Sequence, residues 1–213
     1  GDLIVEDVLA HHAGLPAWIP FYIKTVEKKN KKVIPKYEYY RSIPSDSFNL
    51  HVAKDMYLRF DMVDSIRHRI YGCSMREKRD YRYSDLGFYI FNDIIERKTL
   101  MPLDQYLKEV FYKPMGLNNT GFNPLDWKDP GAITPSEKDN YFRNQIVQGY
   151  VHDMGAAMLG GVAGHAGLFS NSAELAALMQ MLLNGGSYNG IQFLMPETVE
   201  KFTKRYPRST RRA

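Results

Sequence analysis

Apolar residues recur at helical spacing in several separate segments of this chain. After Pro102 they occupy positions i, i+3, i+4, i+7 and i+8, and Gly116 follows soon afterwards, so this segment predicts an amphipathic helix that ends at a glycine. The same periodicity predicts helices elsewhere. These further helices cover residues 5–12, 53–69, 84–97 and 171–183, with a short last helix from Pro196.

Residues typical of helix ends support three of these helices. Ser84 is a candidate N-cap, and Asp85 then lies in the first turn, where a negative charge is favourable. Asn171 precedes Glu174 by three residues, a pattern typical of a capped helix start. Gly14 is the candidate C-cap of the first helix.

Strand signals are few by comparison, and they are restricted to residues 20–26 and 191–194. The lysine-rich segment 24–36 predicts an exposed loop or hairpin, and the Asn-, Asp-, Gly- and Pro-rich segment 118–140 predicts a long loop. Strands and helices do not alternate and no internal repeat is present. The predicted fold class is therefore mainly α with minor β.

Composition narrows the class of protein. The chain has 213 residues, 44% of them apolar and 24% charged, which suits one substantial core or a large piece of a two-lobed protein. The apolar runs are shorter than the roughly eighteen residues that a membrane span needs, so no transmembrane segment is predicted. The single cysteine, Cys73, excludes an internal disulfide. No signal peptide is visible.

Much of the net charge of +4 lies near the C-terminus. Basic residues follow one another closely there, without the interleaved aromatic residues or the recognition motif of a nucleic-acid-binding arm. We therefore predict no nucleic-acid partner. The basic residues are Lys201, Lys204, Arg205, Arg208, Arg211 and Arg212.

Tyr83-Ser84-Asp85 is the most informative short motif. On its own it is typical of a capped helix start beside a core tyrosine. Its surroundings change that interpretation, because residues 82–88, 102–104 and 114–122 together resemble the serine β-lactamase and penicillin-binding protein superfamily, and its class C and esterase-like branch in particular. Further segments are similar to the family in the same order: residues 8–16, 151–153, 160–170, 182–186 and 196–199.

The resemblance implies catalytic roles for Tyr83 and Asp85. Tyr83 takes the place of the tyrosine in the family's Tyr-x-Asn motif, a general base or proton relay for the serine of a Ser-x-x-Lys motif. Asp85 takes the place of the asparagine and would orient the substrate or that lysine. No serine in the chain is followed three residues later by lysine, and neither Lys-Thr-Gly nor His-Thr-Gly occurs. The proton-handling motif is therefore present without the nucleophile.

His165 begins a His-Ala-Gly string that lacks the hydroxyl residue of the family's third motif and is predicted to open a helix. We interpret His165 as a substrate-binding residue of the cleft or as a structural histidine. Together with His152 and Asp153 it makes a weak pattern for a metal site, and hydrogen bonds within loops explain these residues better. No metal and no cofactor are predicted.

His11 and His12 match a family position at which a histidine packs beneath the site. We interpret both of them as structural residues.

By resemblance, residues 1–213 are expected to form a partial β-lactamase-like domain, with loop-rich insertions near 24–50 and 118–150. This domain would be mostly the helical lobe of an α plus α/β transpeptidase fold, incomplete at both ends. The parent protein would be a serine hydrolase of the bacterial periplasm or envelope. It would form an acyl-enzyme with a β-lactam, a D-alanyl peptide or a small ester, drawn from small molecules or peptidoglycan. The chain alone, separated from the remainder of its domain, is predicted to be inactive.

Two other interpretations stay open. One is a non-catalytic β-lactamase-like domain that binds cell-wall material, attached to a glycoside hydrolase of the β-N-acetylglucosaminidase type. The other is a plain helical interaction module, which predicts no special environment for Tyr83.

Overall fold

The chain crosses four times between two structural units in the computed structural model, which describes residues 3–30 and 32–205. The first unit contains residues 3–18, 73–120 and 170–205. The second contains Ile19–Gly72, apart from residue 31, and Gly121–Phe169. Helices dominate the first unit and most strand residues belong to the second, which agrees with a mainly helical chain carrying minor β-structure.

The first unit is built from helices and one short hairpin. Its helices are α1 (Val5–Leu9), α3 (Leu86–Thr99), α4 (Leu103–Leu107), a π-helical turn (Lys108–Tyr112), α5 (Lys113–Met115), α7 (Ser172–Leu183) and α8 (Pro196–Thr203). Its hairpin pairs β8 (Ser187–Tyr188) with β9 (Ile191–Gln192).

The ends of these helices largely follow the sequence signals. The α4–π–α5 segment runs from Pro102 to Gly116, where Gly116 adopts the left-handed conformation at φ +76°. The side chain of Asn171 accepts the amide of Glu174 at 2.9 Å and caps α7 as predicted. Helix α3 begins at Leu86 instead of Ser84, a shift within the ordinary uncertainty of helix ends.

Helix α1 ends differently from the prediction, since Gly14 is not its cap. The amide of His11 donates to the Val8 carbonyl (3.1 Å), and the amide of His12 donates to the Asp7 carbonyl (2.7 Å). These two bonds form a Schellman motif in which His11, at φ +60°, takes the left-handed position that usually favours glycine. A histidine at that position costs backbone energy that glycine would not.

The hydrophobic core of the first unit includes a cluster between the α4–α5 segment and α7. Its most buried members are Tyr112, Met115, Leu117 and Met181, and half-buried Leu178 and Leu182 pack against them. The helical spacing predicts an apolar face of α7 formed by Leu175, Leu178, Met179, Leu182 and Leu183, and this face is only partly buried. Its other predicted members remain exposed: Leu175 (45%), Met179 (53%) and Leu183 (80%).

Helix α3 approaches α1 at Gly87. A Cβ atom at this residue would lie 2.2 Å from Cγ1 of Val8 and 3.5 Å from Cδ1 of Leu15. The absence of a side chain at Gly87 therefore permits the close contact that places the start of α3 beside the end of α1.

Two of the described basic residues near the C-terminus form ion pairs with glutamates. Lys201 contacts Glu6 at 2.6 Å and Lys204 contacts Glu200 at 2.7 Å. The remaining predicted tail residues, Arg208, Arg211 and Arg212, lie outside the described part of the chain.

The described residues of the second unit form three small antiparallel sheets. They are formed by β1 (Val26–Lys29) with β2 (Lys32–Pro35), by β3 (Tyr40–Arg41), β4 (Phe48–Ala53) and β5 (Met56–Arg59) in the order β3–β5–β4, and by β6 (Glu137–Asp139) with β7 (Gln145–Val147). Its helices are α2 (Met62–Tyr71) and α6 (Met154–Ala157), with 3-10 turns at Phe21–Thr25, Pro124–Asp126 and Pro130–Ala132.

Part of the helix predicted over 53–69 is wrong, because its first half is the β4–β5 hairpin. Ala53 pairs with Met56, so Lys54 and Asp55 form a two-residue turn with Asp55 at φ +53°. Burial in β5 alternates strictly, with Met56 and Leu58 inside. The helical spacing begins only at Met62.

Two further local predictions are corrected in this unit. The segment 20–26, predicted as a strand, begins as a 3-10 helix, and the strand starts only at Val26. The buried residues Phe21 and Thr25 are four positions apart, which is a helical spacing. The segment 118–140 contains the two 3-10 turns and β6, although the lysine-rich segment 24–36 does form the expected hairpin.

A buried ion pair holds the loop between β6 and β7. The side chains of Arg143 and Asp139 are both fully buried, with Nε and Oδ2 2.7 Å apart. The guanidinium also donates to the carbonyls of Val151 and His152 at 2.7 Å each, and to Oε1 of Glu137 at 3.0 Å. These bonds satisfy charges that would otherwise be costly to bury.

Candidate active site

Tyr83 lies in the first unit, on the segment that leads into α3, and the residue is 60% exposed. The next residue, Ser84, is only 5% exposed. A bulky aromatic ring is thus held at the surface by a buried neighbour.

Ser84 is anchored through its hydroxyl group. Oγ donates to the Pro16 carbonyl at 2.6 Å and accepts the Leu86 amide at 3.3 Å. The hydroxyl therefore connects the loop after α1 to the first turn of α3. The N-cap residue of α3 is Asp85, however, so the prediction that Ser84 fills that position is wrong.

His11 contacts the segment on both sides of Tyr83. Its carbonyl accepts the Arg82 amide at 2.8 Å, and its Nδ1 accepts the Ser84 amide at 3.2 Å. The rings of His11 and Tyr83 pack with their centroids 4.5 Å apart at an interplanar angle of 38°. Since a backbone amide can only donate, Nδ1 of His11 must carry the lone pair, and a neutral ring carries its proton on Nε2.

The charge state of His11 follows from its surroundings. Partial burial lowers the pKa of His11 from its ordinary value, and the opposing interactions with Asp85 and with the Ser84 backbone offset this shift only in part. At neutral pH the imidazole is therefore uncharged, as the bond from Ser84 requires.

Asp85 occupies the N-cap position of α3, where its backbone has φ −76° and ψ −24°. Its amide donates to the Ala17 carbonyl at 3.1 Å. The predicted catalytic pair thus lies on one anchored segment, with Tyr83 exposed and Asp85 half-buried at the positive end of the helix.

His165 lies in the second unit, in a glycine-rich segment that precedes α7 without being helical, so the prediction that it opens a helix is wrong. Its side chain is 5% exposed, and Nε2 lies 2.8 Å from Oδ1 of Asp153. Burial acts to raise the pKa of Asp153, but hydrogen bonds from His165 and from the Ala156 amide outweigh it and lower that pKa. This pair attaches the glycine-rich segment to the start of α6.

The histidines and acids of the weak metal pattern belong to separate pairs. His152 contacts Oε2 of Glu137 at 3.3 Å, whereas His165 contacts Asp153. Across the described residues, no group of three or more His, Cys, Asp or Glu side chains is arranged to hold a metal ion. Nor does any helix among them have the length and apolarity needed to cross a membrane.

Comparison with known protein families decides the family. The model of the family described as Beta-lactamase matches residues 1–213, the whole sequence. The chain belongs to the beta-lactamase family. The predicted membership of the serine β-lactamase and penicillin-binding protein superfamily is thereby confirmed.

A curated relative is similar to this beta-lactamase family chain over most of its sequence. The Salmonella gallinarum protein named "Putative D-alanyl-D-alanine carboxypeptidase" is 35% identical over 217 residues, which covers 96% of this chain and 44% of the relative. The chain therefore spans less than half the length of that relative.

Solved structures support the beta-lactamase-like fold. The octameric penicillin-binding protein homologue from Pyrococcus abyssi superposes with a TM-score of 0.56 at 17% identity, covering 95% of this chain and 38% of that one. The D-amino acid amidase from Ochrobactrum anthropi gives a TM-score of 0.51 at 15% identity, covering 94% and 48%. At these identities the likeness concerns the fold alone.

The contribution of His11 was not apparent from the sequence, where it was interpreted only as structural. Its ring bonds an amide 73 residues further along the chain. No local pattern marks such a contact, and the only signal was the resemblance of residues 8–16 to a family segment that carries a histidine beneath the site.

Proposed function

We propose that Tyr83 is the general base or proton relay of a serine-type acyl-transfer enzyme that acts on D-alanyl peptides. The observation that carries this proposal is the exposed phenol of Tyr83 on an anchored segment, next to Ser84, which is 5% exposed. Such a group can meet a substrate or a serine nucleophile without moving the backbone. The name of the Salmonella relative supports a D-alanyl peptide over the other predicted substrates, a β-lactam or a small ester.

The proposed reaction transfers an acyl group in two stages. A serine Oγ attacks the carbonyl carbon of the scissile amide while its proton passes by way of Tyr83 and a lysine to the leaving amine. Water then hydrolyses the acyl-serine ester and regenerates the hydroxyl. Asp85 is proposed to orient the substrate or the lysine, and His165 is proposed to act at the substrate cleft or to support it through Asp153.

The nucleophile is proposed to come from sequence outside the 213 residues, since none of the chain's serines is followed by lysine at the required spacing. The chain alone should then be inactive. The exposed apolar residues of α7 support a partner surface there, and we propose that the remainder of the same domain covers it. A D-alanyl peptide substrate would place the protein in the periplasm or cell envelope.

Acylation by a fluorescent penicillin tests this proposal. The full-length gene product should be labelled, its Tyr83→Phe variant should be labelled about 100-fold or more slowly, and the 213-residue chain should stay unlabelled. Tyr106→Phe is the matched control, because this tyrosine lies in α4 away from the motif. Equal labelling of wild type and Tyr83→Phe would overturn the role of Tyr83. A full-length product without a reactive serine would favour the non-catalytic cell-wall-binding alternative.

A further inference from the structure

His11 occupies a position that backbone energetics would assign to glycine. It has φ +60° at the end of α1. The two backbone hydrogen bonds of the Schellman motif require that conformation but no particular side chain. Glycine would satisfy the same backbone bonds without strain. What the histidine adds is its ring.

The ring makes two contacts with the Tyr83 segment that glycine would lack. Nδ1 accepts the Ser84 amide at 3.2 Å, and the ring face lies against the phenol of Tyr83 at a centroid distance of 4.5 Å. The His11 carbonyl adds a third contact by accepting the Arg82 amide at 2.8 Å. The residues before and after Tyr83 are therefore both bonded to one residue, and the ring between them is supported by that residue's side chain.

We propose that His11 is a positioning residue for Tyr83, holding the phenol in place through a neutral imidazole that accepts the Ser84 amide. The catalytic consequence rests on the proposed function of Tyr83, whereas the positioning itself does not. A protonated ring would place an N–H group against the Ser84 N–H group, so protonation must break this bond. The titratable groups facing the ring are Asp85, His12, Tyr81 and Tyr83.

Two substitutions separate the contacts. In His11→Asn the Oδ1 atom replaces Nδ1 as the acceptor, and asparagine tolerates the left-handed backbone, but the side chain does not titrate. In His11→Gly the backbone keeps its conformation, while the acceptor and the ring are both removed. His12→Asn is the matched control, because Nδ1 of His12 lies 3.4 Å from the Arg79 carbonyl instead of an amide of the motif.

The first experiment follows the Ser84 amide by NMR in the 213-residue chain from pH 8 down to the lowest pH at which the chain stays folded. In the wild type its proton shift should change in one step with a midpoint below 6.5, because burial lowers the pKa of His11. The step should persist in His12→Asn and disappear in His11→Asn and His11→Gly. A wild-type amide without a step, or a step that persists in His11→Asn, would overturn the proposal.

The second experiment measures acylation of the full-length protein by a fluorescent penicillin. His11→Gly should slow acylation about 10- to 100-fold, the range expected when a catalytic group is misplaced by around 1 Å. His11→Asn should recover part of that loss. Its rate should also not fall in the pH range in which the wild type loses rate through protonation of His11. A His11→Gly rate within twofold of wild type would overturn the proposal. If Tyr83→Phe keeps the full rate while the Ser84 step is present, the proposed function fails and the positioning contact stands.

Discussion

Replacing Arg143 by Met should destabilise the second unit by about 3–5 kcal/mol, the usual cost of removing one partner from a buried ion pair. Asp139 would remain fully buried without its cationic partner, while the amides of Tyr141 and Phe142 still donate to its Oδ1 at 3.0 and 2.8 Å. The carbonyls of Val151 and His152 would each lose the donor at 2.7 Å.

The double variant Arg143→Met with Asp139→Asn separates the cost of the unpaired carboxylate of Asp139 from the cost of the lost hydrogen bonds. Asparagine keeps Oδ1 as the acceptor for the two amides and carries no charge, so the loss should shrink to about 1–3 kcal/mol. Lys113→Met is the control. Its partner Glu109 lies at 2.6 Å in an exposed pair, whose loss should cost less than about 0.5 kcal/mol.

Urea unfolding at pH 7, followed by circular dichroism, measures these free energies from the midpoint and the slope. The reasoning fails if Arg143→Met costs no more than Lys113→Met. It fails equally if the double variant is less stable than the single one, because the buried charge would then not be the dominant cost.

Two further substitutions test the first unit. Glu174→Gln should lower the free energy of unfolding by about 1–2 kcal/mol at pH 7, because the Glu174 carboxylate accepts the amides of Asn118 and Asn119 at 3.0 and 2.9 Å and the Thr120 hydroxyl at 2.6 Å. Burial acts to raise the pKa of Glu174, but these hydrogen bonds outweigh it and lower that pKa from its ordinary value. The stabilisation by the carboxylate is therefore present above the unfolded pKa and lost as pH falls through the folded pKa, so the difference between variant and wild type should shrink when urea unfolding is repeated at successively lower pH. Gly87→Ala should lower the free energy of unfolding by about 1–3 kcal/mol, because its Cβ would lie 2.2 Å from Val8. Thermal unfolding should show partial recovery of the melting temperature when Val8→Ala is added. An unchanged melting temperature in the single variant would refute the close contact.

Helices with caps and sustained periodicity were predictable, whereas elements defined by distant partners were not. The Asn171 cap and the Gly116 stop are local, and both are confirmed. The β4–β5 hairpin was missed because its turn, Lys54-Asp55, lacks the glycine that usually marks such turns.

The buried face of α7 shows a second limit. Its leucines and methionines have the right period for a helix, but period alone cannot say which of them the rest of the protein covers. Met181 is 4% exposed although it was not assigned to the apolar face, whereas Leu183 is 80% exposed. Burial depends on packing partners, and sequence periodicity reports only the helix.

The motif of the candidate site could be found in the sequence, whereas the contacts of His11 that hold this motif in place could not. Tyr83 and Asp85 were found by resemblance, and their catalytic roles stay predictions. The role of His11 depends on a backbone conformation and on a contact 73 residues away, neither of which leaves a local signal.

Backbone strain by itself does not identify a functional residue, and Leu100 shows why. Among the described non-glycine residues with positive φ, all are Asn or Asp except His11 and Leu100. Leu100 caps α3, and its amide donates a hydrogen bond to the Glu96 carbonyl at 2.9 Å. The residue is 89% exposed, so its conformation serves the helix end. His11 also caps a helix, but its ring reaches the Tyr83 segment. The strain gains functional meaning only where the strained side chain makes contacts that glycine could not, and of these two residues only His11 meets that condition.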